Sequence, residues 1–199
     1  MNKLPQDFYQ SDDVVDISRK LLGKKLCTFY EGQLTSGIII ETEAYSGRND
    51  KACHAHANHK TPRNRIMFSE GGHAYVYLCY GIHHLFNVVA NTEGNADAVL
   101  VRALQPVDGL EIMKKRRNDI SNTHRLCAGP GMLSQALNIG MQHYGLTLWS
   151  DQIWIEDVGV AVPDDQIVAK PRIGVDYAGE DALLPWRFYI AHSRFVSRK

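Results

Sequence analysis

The chain has 199 residues, of which 44% are hydrophobic and 22% are charged. These values are ordinary for a soluble globular protein, and the length favours one domain over residues 1–199 rather than two. Twenty-two basic side chains balance twenty-two acidic ones, which argues against a protein that coats nucleic acid by charge alone but is compatible with a local basic face.

No targeting or membrane segment is evident in the sequence. The first residues lack the apolar core of a secretion signal, and no stretch approaches the roughly 20 apolar residues of a membrane helix. The four cysteines stand singly, which is typical of idle thiols in a reducing compartment. We therefore expect an intracellular protein without membrane contact, in the cytoplasm or nucleoid, or in the nucleus of a eukaryote.

The first half of the chain predicts one helix followed by strands. Ser11 is the expected N-cap, Asp12 and Asp13 suit the first turn, and Gly23 suits the end of the helix. Residues 25–30 and 34–45 then predict a hairpin with a long second strand. Residues 46–72 are polar and rich in histidine and arginine, and a loop of that length is usually functional or disordered.

The second half predicts further strands with two helices. The expected strands are 73–80, 85–91, 98–104, 152–156, 168–175 and 187–190, and the expected helices are 107–117 and 130–137. This order is typical of a single mixed α+β domain with an antiparallel β-sheet core and flanking helices. No nucleotide-binding glycine motif is present, and we expect no organic cofactor.

Two carboxylates follow an apolar run in the long strand. Strand periodicity places Ile39, Glu41, Glu43 and Tyr45 on one face, with the two carboxylates about 6.5–7 Å apart along the strand. Because unpaired buried carboxylates are costly, they must reach solvent, meet cations or line a pocket. The spacing fits a general base with a nearby partner, and it also fits a simple exposed strand end.

The long loop carries two candidate motifs. Residues 53–59 (CHAHANH) could bind zinc, could form local hydrogen bonds, or could supply one histidine to a substrate. Arg63 and Arg65 have the planar fork that matches phosphate oxygens, although surface ion pairs are the ordinary role of single arginines.

An aromatic strand is followed by a glycine turn. Tyr75 and Tyr77 share one face of it, so the pair could stack on a planar ligand. Tyr80 precedes Gly81 and is expected at the tip of a hairpin, where an exposed aromatic can wedge between base steps of DNA.

These motifs together resemble the alkyladenine (3-methyladenine) DNA glycosylases of the mammalian type, which also occur in bacteria. The resemblance covers about residues 21–189 and consists of 41–45 (ETEAY), 61–65 (TPRNR), 67–68 (MF), 75–77 (YVY), 80–81 (YG), 101–104 (VRAL), 129–130 (GP), 172–175 (RIGV), 178–179 (AG) and 187–189 (RFY). The order and spacing of the segments make the match specific.

The resemblance implies a monofunctional glycosylase that starts base excision repair. Such an enzyme flips alkylated or deaminated purines (3-methyladenine, 7-methylguanine, hypoxanthine, ethenoadenine) out of duplex DNA and hydrolyses the N-glycosidic bond. Glu43 is then the general base that activates water, Arg102 helps to hold that water, and a main-chain carbonyl near Val175 also binds it. No metal or cofactor takes part.

The resemblance also implies which residues bind the base and the DNA. Tyr45, His54 and Tyr77 contact the flipped base, and Asn87 screens purines by their exocyclic groups. The side chain that fills the gap in the duplex is Tyr80, on a hairpin that reaches into the minor groove. The remaining expected DNA contacts are Ile82, a second apolar wedge where mammalian members have Met, together with Arg63 and Arg65.

We expect damaged double-stranded DNA as the partner of a monomer, with no obligate protein partner. Three alternatives remain open at this point: a sugar hydrolase using Glu41 and Glu43, a zinc-stabilised binding module, and a non-catalytic DNA-binding relative. Activity on soluble glycosides would identify the first, and metal analysis the second. An intact Glu43 and Arg102 argue against the third, because a binding protein would not need the pair.

Overall fold

A thirteen-residue strand runs through the middle of the sheet in a computed structural model that describes residues 2–198. The strands, numbered in chain order, are β1 Lys25–Tyr30, β2 Gln33–Tyr45, β3 Ala74–Cys79, β4 His83–Ala90, β5 Asp97–Pro106, β6 Ile153–Glu156, β7 Ile167–Lys170 and β8 Arg187–Ile190. They form one open antiparallel sheet in the order β3-β4-β5-β2-β1-β6, with β8 also paired to β2 and β7 paired to β8.

Three α-helices and several short 3-10 helices flank the sheet. The α-helices are α1 Val14–Lys20, α2 Leu110–Arg116 and α3 Pro130–Ala136; the 3-10 helices are Gln6–Tyr9, His56–Asn58, Arg65–Phe68, Thr123–Arg125, Met141–His143, Asp164–Gln166 and Asp176–Leu183. The chain is thus a mixed α/β protein on an antiparallel sheet, as predicted. No helix within residues 2–198 combines the length and the hydropathy that crossing a bilayer requires.

The start of α1 differs from the prediction. Asp13, not Ser11, is the N-cap, because its carboxylate accepts hydrogen bonds from the amides of Val15 and Asp16 at 2.9 and 3.0 Å. Ser11 instead accepts the amide hydrogen bond of Asp13. The helix buries Ile17 in the main hydrophobic core.

Two other predicted boundaries are wrong for local reasons. Strand β7 ends at Lys170 rather than at 175, because Pro171 has no N–H to donate to a strand ladder. Helix α2 begins at Leu110 rather than at 107, after Gly109 in a left-handed conformation (φ +75°). A Cβ at Gly109 would clash with the carbonyl oxygen of Leu34, so this corner requires glycine.

Two compensating irregularities interrupt the pairing of β2 with β5. Ile39 pairs with Leu104 and Glu41 with Ala103, which leaves Ile40 as an extra residue in β2. Thr42 then pairs with Val101, which leaves Arg102 as an extra residue in β5. The alternation predicted for β2 is therefore interrupted at Ile40, while Glu43 and Tyr45 are hydrogen-bonded to each other and Arg102 contacts both Glu41 and Glu43.

Candidate active site

A cavity of about 520 Å³ opens beside the β3–β4 hairpin, within the range typical of ligand pockets. Its walls come from the hairpin, the loop after β2, strand β5 and the segment after β7. The lining residues are Tyr45, Ala52, Cys53, His54, Arg63, Met67, Tyr75, Tyr77, Leu78, Cys79, Tyr80, Leu85, Asn87, Ala98, Leu100, Arg102, Pro130, Ile173, Gly174, Val175 and Tyr177. Four predicted base-contact residues and Val175 therefore meet at one cavity.

Glu43 lies directly behind the cavity wall and has no exposed surface. Its Oε2 accepts a hydrogen bond from the hydroxyl of Tyr45 at 2.7 Å. Its Oε1 accepts one from the amide of Ile173 at 2.7 Å and lies 3.2 Å from Nη1 of Arg102. All three of these partners line the cavity, so the carboxylate is one residue layer away from anything bound there.

Glu41 lies in a different environment from Glu43, although both are fully buried. Its carboxylate accepts hydrogen bonds from Nε of Arg102 at 2.9 Å, from Nη1 of Arg187 at 3.1 Å, and from the amide and hydroxyl of Ser197 at 2.7 and 2.9 Å. It does not line the cavity. The alternative in which Glu41 and Glu43 lie at an exposed strand end is therefore wrong, because both are buried. Glu41 and Glu43 also do not form a pair of carboxylates that faces the cavity.

Tyr45 contacts both Glu43 and the buried guanidinium of Arg172, a residue of the 172–175 motif to which the sequence analysis gave no role. Cζ of Arg172 lies 4.8 Å from the centroid of the Tyr45 ring and 5.2 Å from that of Trp186. Arg172 also donates to the carbonyl of Ala44 at 2.8 Å and pairs with the carboxylate of Asp50. Burial raises the pKa of the Tyr45 hydroxyl, so this group remains a donor to Glu43.

Three aromatic side chains form the wall that includes His54. The His54 and Tyr77 rings meet edge to face with centroids 4.6 Å apart, and Nδ1 of His54 lies 2.8 Å from the hydroxyl of Tyr75. Cζ of Arg63 lies 4.7 Å above the Tyr77 ring. His54 is exposed as a residue, but desolvation by the protein packed around its imidazole and then the charge of Arg63 lower its pKa to about 4. The imidazole is thus neutral at pH 7.

Asn87 lines the cavity from strand β4 and is held by one hydrogen bond. Its Nδ2 donates to the carbonyl of Tyr75 at 3.1 Å, across the β3–β4 pair in which these two residues are opposite each other. The bond fixes the orientation of the amide at the cavity wall.

The tip of the β3–β4 hairpin is apolar and exposed. Tyr80 is 93% exposed and Ile82 is 72% exposed. Tyr80 and Gly81 both have positive φ (+50° and +71°), and the amide of Ile82 donates to the carbonyl of Cys79. Glycine, Asn and Asp are the residues that suit such a turn, so an exposed tyrosine at this position gives no structural benefit.

The exposed Tyr177 also lines the cavity, and no sequence pattern pointed to it.

The loop after β2 is ordered by Asn64. Its Nδ2 donates to the carbonyls of His54 and His59, both at 2.9 Å, and its Oδ1 accepts the amide of Thr61. Arg63 and Arg65, on either side of it, are exposed.

Cys53 is buried with its Sγ 3.9 Å from the carbonyl of Ala96. Across residues 2–198, no three His, Cys, Asp or Glu side chains cluster as a metal-binding group would require.

Comparisons with known proteins agree on one family. The profile of the family described as Methylpurine-DNA glycosylase matches residues 7–194. A protein of Chlamydia felis named as a 3-methyladenine DNA glycosylase is 48% identical over 188 residues, which are 94% of this chain and 95% of that protein. One of Bacillus cereus with the same name is 44% identical, with 98% of each chain covered. The family resemblance is confirmed through bacterial relatives, which do not distinguish a mammalian type.

Proposed function

The chain belongs to the methylpurine-DNA glycosylase family, and from this premise we propose that it excises alkylated and deaminated purines by base flipping and Glu43-assisted hydrolysis. As a member of this family it is a DNA-binding hydrolase of N-glycosyl bonds that acts in base excision repair. The proposed substrates are 3-methyladenine, 7-methylguanine, hypoxanthine and ethenoadenine in double-stranded DNA. A monomer contains all the residues that the proposal uses.

The cavity is the proposed receptor for the flipped base. A base inside a duplex is inaccessible, so an enzyme that acts on it must extrude the nucleotide. We place the purine between the ring of Tyr45 and the edge-to-face pair of His54 and Tyr77. Because the His54 imidazole is neutral, it does not repel an alkylated purine, whose positive charge favours contact with aromatic faces. The fixed amide of Asn87 then screens the exocyclic groups of the base.

The observation that carries the proposal is the buried carboxylate of Glu43 behind the cavity wall, bonded to three lining groups. Glu43 accepts a proton from water, and its negative charge stabilises the positive charge that develops on the sugar. Arg102 and the main chain near Val175 hold the water. Since Glu43 has no exposed surface here, Tyr45 or Arg102 must shift when a base enters.

The hairpin tip is the proposed tool for opening the duplex. Tyr80 inserts into the space that the flipped nucleotide leaves, and Ile82 packs beside it as a second wedge. The positive φ of Tyr80 supports this, because backbone strain is tolerated where a side chain has a function. Arg63 and Arg65 contact phosphates near the cavity mouth.

The test is substitution of Glu43 by glutamine. Glu43→Gln keeps the shape of the side chain but cannot accept the proton of water, so we expect retained binding of damaged DNA with excision reduced by roughly 10²- to 10⁴-fold. Single-turnover release from duplexes with each of the four lesions measures this. Release within a few-fold of wild type would rule out Glu43 as the base, and no release by the wild type from any duplex would refute the proposed function.

A further inference from the structure

Glu41 is a buried charge for which the proposed chemistry has no use. It does not line the cavity, and its two oxygens accept four hydrogen bonds from three separate parts of the chain: β5, β8 and the segment around Ser197. Burial of a carboxylate is unfavourable unless it is paired, and apolar residues fill such positions at least as well. Arg102 and Arg187 are buried cations that need such a partner, and the contact with Arg102 also connects Glu41 to the cavity.

Arg102 links Glu41 to Glu43. Its Nε donates to Oε1 of Glu41 at 2.9 Å, and its Nη1 lies 3.2 Å from Oε1 of Glu43. The guanidinium is planar, so fixing Nε fixes the direction of both terminal nitrogens. As the extra residue in β5, Arg102 has no pairing partner in β2 to hold it, and the bond to Glu41 supplies the constraint.

The charges of this cluster balance only when Glu41 is included. Two carboxylates, Glu41 and Glu43, are accompanied by two guanidinium groups, Arg102 and Arg187. Glu41 neutralises the charge of Arg187 and part of the charge of Arg102. Without Glu41, Arg102 could turn and present both terminal nitrogens to Glu43, as guanidinium groups do with a single carboxylate.

We propose that Glu41 is a positioning residue, which together with Arg187 and Ser197 holds Arg102 so that only one guanidinium nitrogen meets Glu43. This rests on the proposed role of Glu43 as general base. The arrangement presents one guanidinium nitrogen to Glu43, at 3.2 Å, instead of a two-nitrogen pair. Glu41 thus acts on the catalytic carboxylate through Arg102, without touching the substrate.

Substitution of Glu41 by glutamine should change the pH dependence of excision and not only the amount of active protein. In Glu41→Gln, Arg102 pairs more fully with Glu43, and a carboxylate with more positive charge nearby is protonated only at lower pH. The acid limb of single-turnover excision should move to lower pH, and the plateau rate should fall by about tenfold, a part of the roughly 10²- to 10⁴-fold that a general base contributes. The charged or titratable groups that face Glu43 in this experiment are Glu41, Tyr45, Tyr77, Arg102, Arg172 and Arg187.

The experiment compares variants of the full chain on one duplex carrying 7-methylguanine, so that titration of the base is common to all. Ser197→Ala removes a half-buried hydroxyl that donates to Glu41 and accepts from Nη2 of Arg102 at 3.5 Å, and it should shift the acid limb in the same direction by less. Glu156→Gln removes another buried, ion-paired carboxylate, on the far strand β6, and should leave the profile unchanged. If Glu41→Gln does not fold, the acid limbs of Ser197→Ala and Arg187→Lys test whether Arg102 is positioned in this way.

The outcomes separate this proposal from the one on which it rests. An acid limb at the wild-type pH in the folded Glu41 and Ser197 variants would overturn the positioning role, even if the rate falls with stability. Excision retained by Glu43→Gln would instead overturn the general base, and inactive wild type would overturn the function.

Discussion

The guanidinium of Arg172 lies against the ring of Tyr45, with Cζ 4.8 Å from the ring centroid. The same Cζ lies 5.2 Å from the centroid of a Trp186 ring, so the guanidinium of Arg172 contacts two aromatic side chains. Since Tyr45 lines the cavity and donates to Glu43, Arg172 supports both the cavity wall and the hydrogen bond to the carboxylate.

We expect Arg172→Met to reduce the free energy of unfolding by about 3–5 kcal/mol, because it leaves the buried carboxylate of Asp50 without its partner. Chemical denaturation measures the change. The double variant with Asp50→Asn should recover part of the loss, since no buried charge is then unpaired. An equal loss in the single and double variants would show that the pair with Asp50 is not what Arg172 contributes.

Substitution of Tyr80 at the hairpin tip should lower base flipping without lowering the stability of the fold. Asn adopts the left-handed conformation of residue 80 more easily than Tyr, so Tyr80→Asn should leave the melting temperature unchanged or raise it. Loss of a stacked aromatic, worth about 1–3 kcal/mol, should lower single-turnover excision by roughly 5- to 150-fold. The loss should be larger opposite a well-paired lesion than in a mismatch, where unpairing costs less. Equal losses in both duplexes would contradict a wedge.

The neutral imidazole of His54 should make stability depend on pH. Its pKa is about 4 in the folded chain, compared with about 6.5 for an unperturbed histidine. Between these values the unfolded chain binds a proton that the folded chain does not, so the free energy of unfolding should fall as pH decreases from about 6.5 to 4. Chemical denaturation across this range should show a shallower slope for His54→Asn than for wild type.

An NMR titration of the His54 ring provides an independent measurement. A midpoint near 6.5 would contradict the lowered pKa of His54, and with it the predicted dependence of stability on pH. His143 also titrates below its ordinary pKa because it is buried, and therefore contributes its own part of the slope.

Replacement of Asn87 by a shorter side chain should reduce the selectivity among excised bases. In Asn87→Ser, the amide held by the carbonyl of Tyr75 is removed from the cavity wall, and space opens for an exocyclic group. We expect the ratio of 7-methylguanine release to ethenoadenine release to rise, with overall stability changed by only about 1 kcal/mol because one hydrogen bond is lost. An unchanged ratio would assign Asn87 to the fold and not to selection.

Local patterns in the sequence were sufficient for much of the fold. The strand of residues 34–45 and the hairpin turn at Gly81 follow from an apolar run and a turn residue that lie close together in the chain. The family resemblance named Tyr45, His54, Tyr77 and Asn87, which all line the cavity. The predicted end of β7 was wrong because strand propensity continues through residues 171–175, whereas the missing N–H of Pro171 ends the ladder. The departure of this segment brings the amide of Ile173 to Glu43.

The sequence by itself determined that Glu41 and Glu43 follow an apolar run in one strand, and its local pattern could not distinguish them; only the family resemblance pointed to Glu43. Two identical side chains two residues apart have the same local pattern, so their difference must come from non-local partners. The tertiary structure decided it: bulges in β2 and β5 redirect Arg102 between them, and Ser197, 156 residues from Glu41 in the chain, completes the hydrogen bonds of that carboxylate. Because these donors arrive only when distant segments meet, the carboxylate left beside the cavity is Glu43.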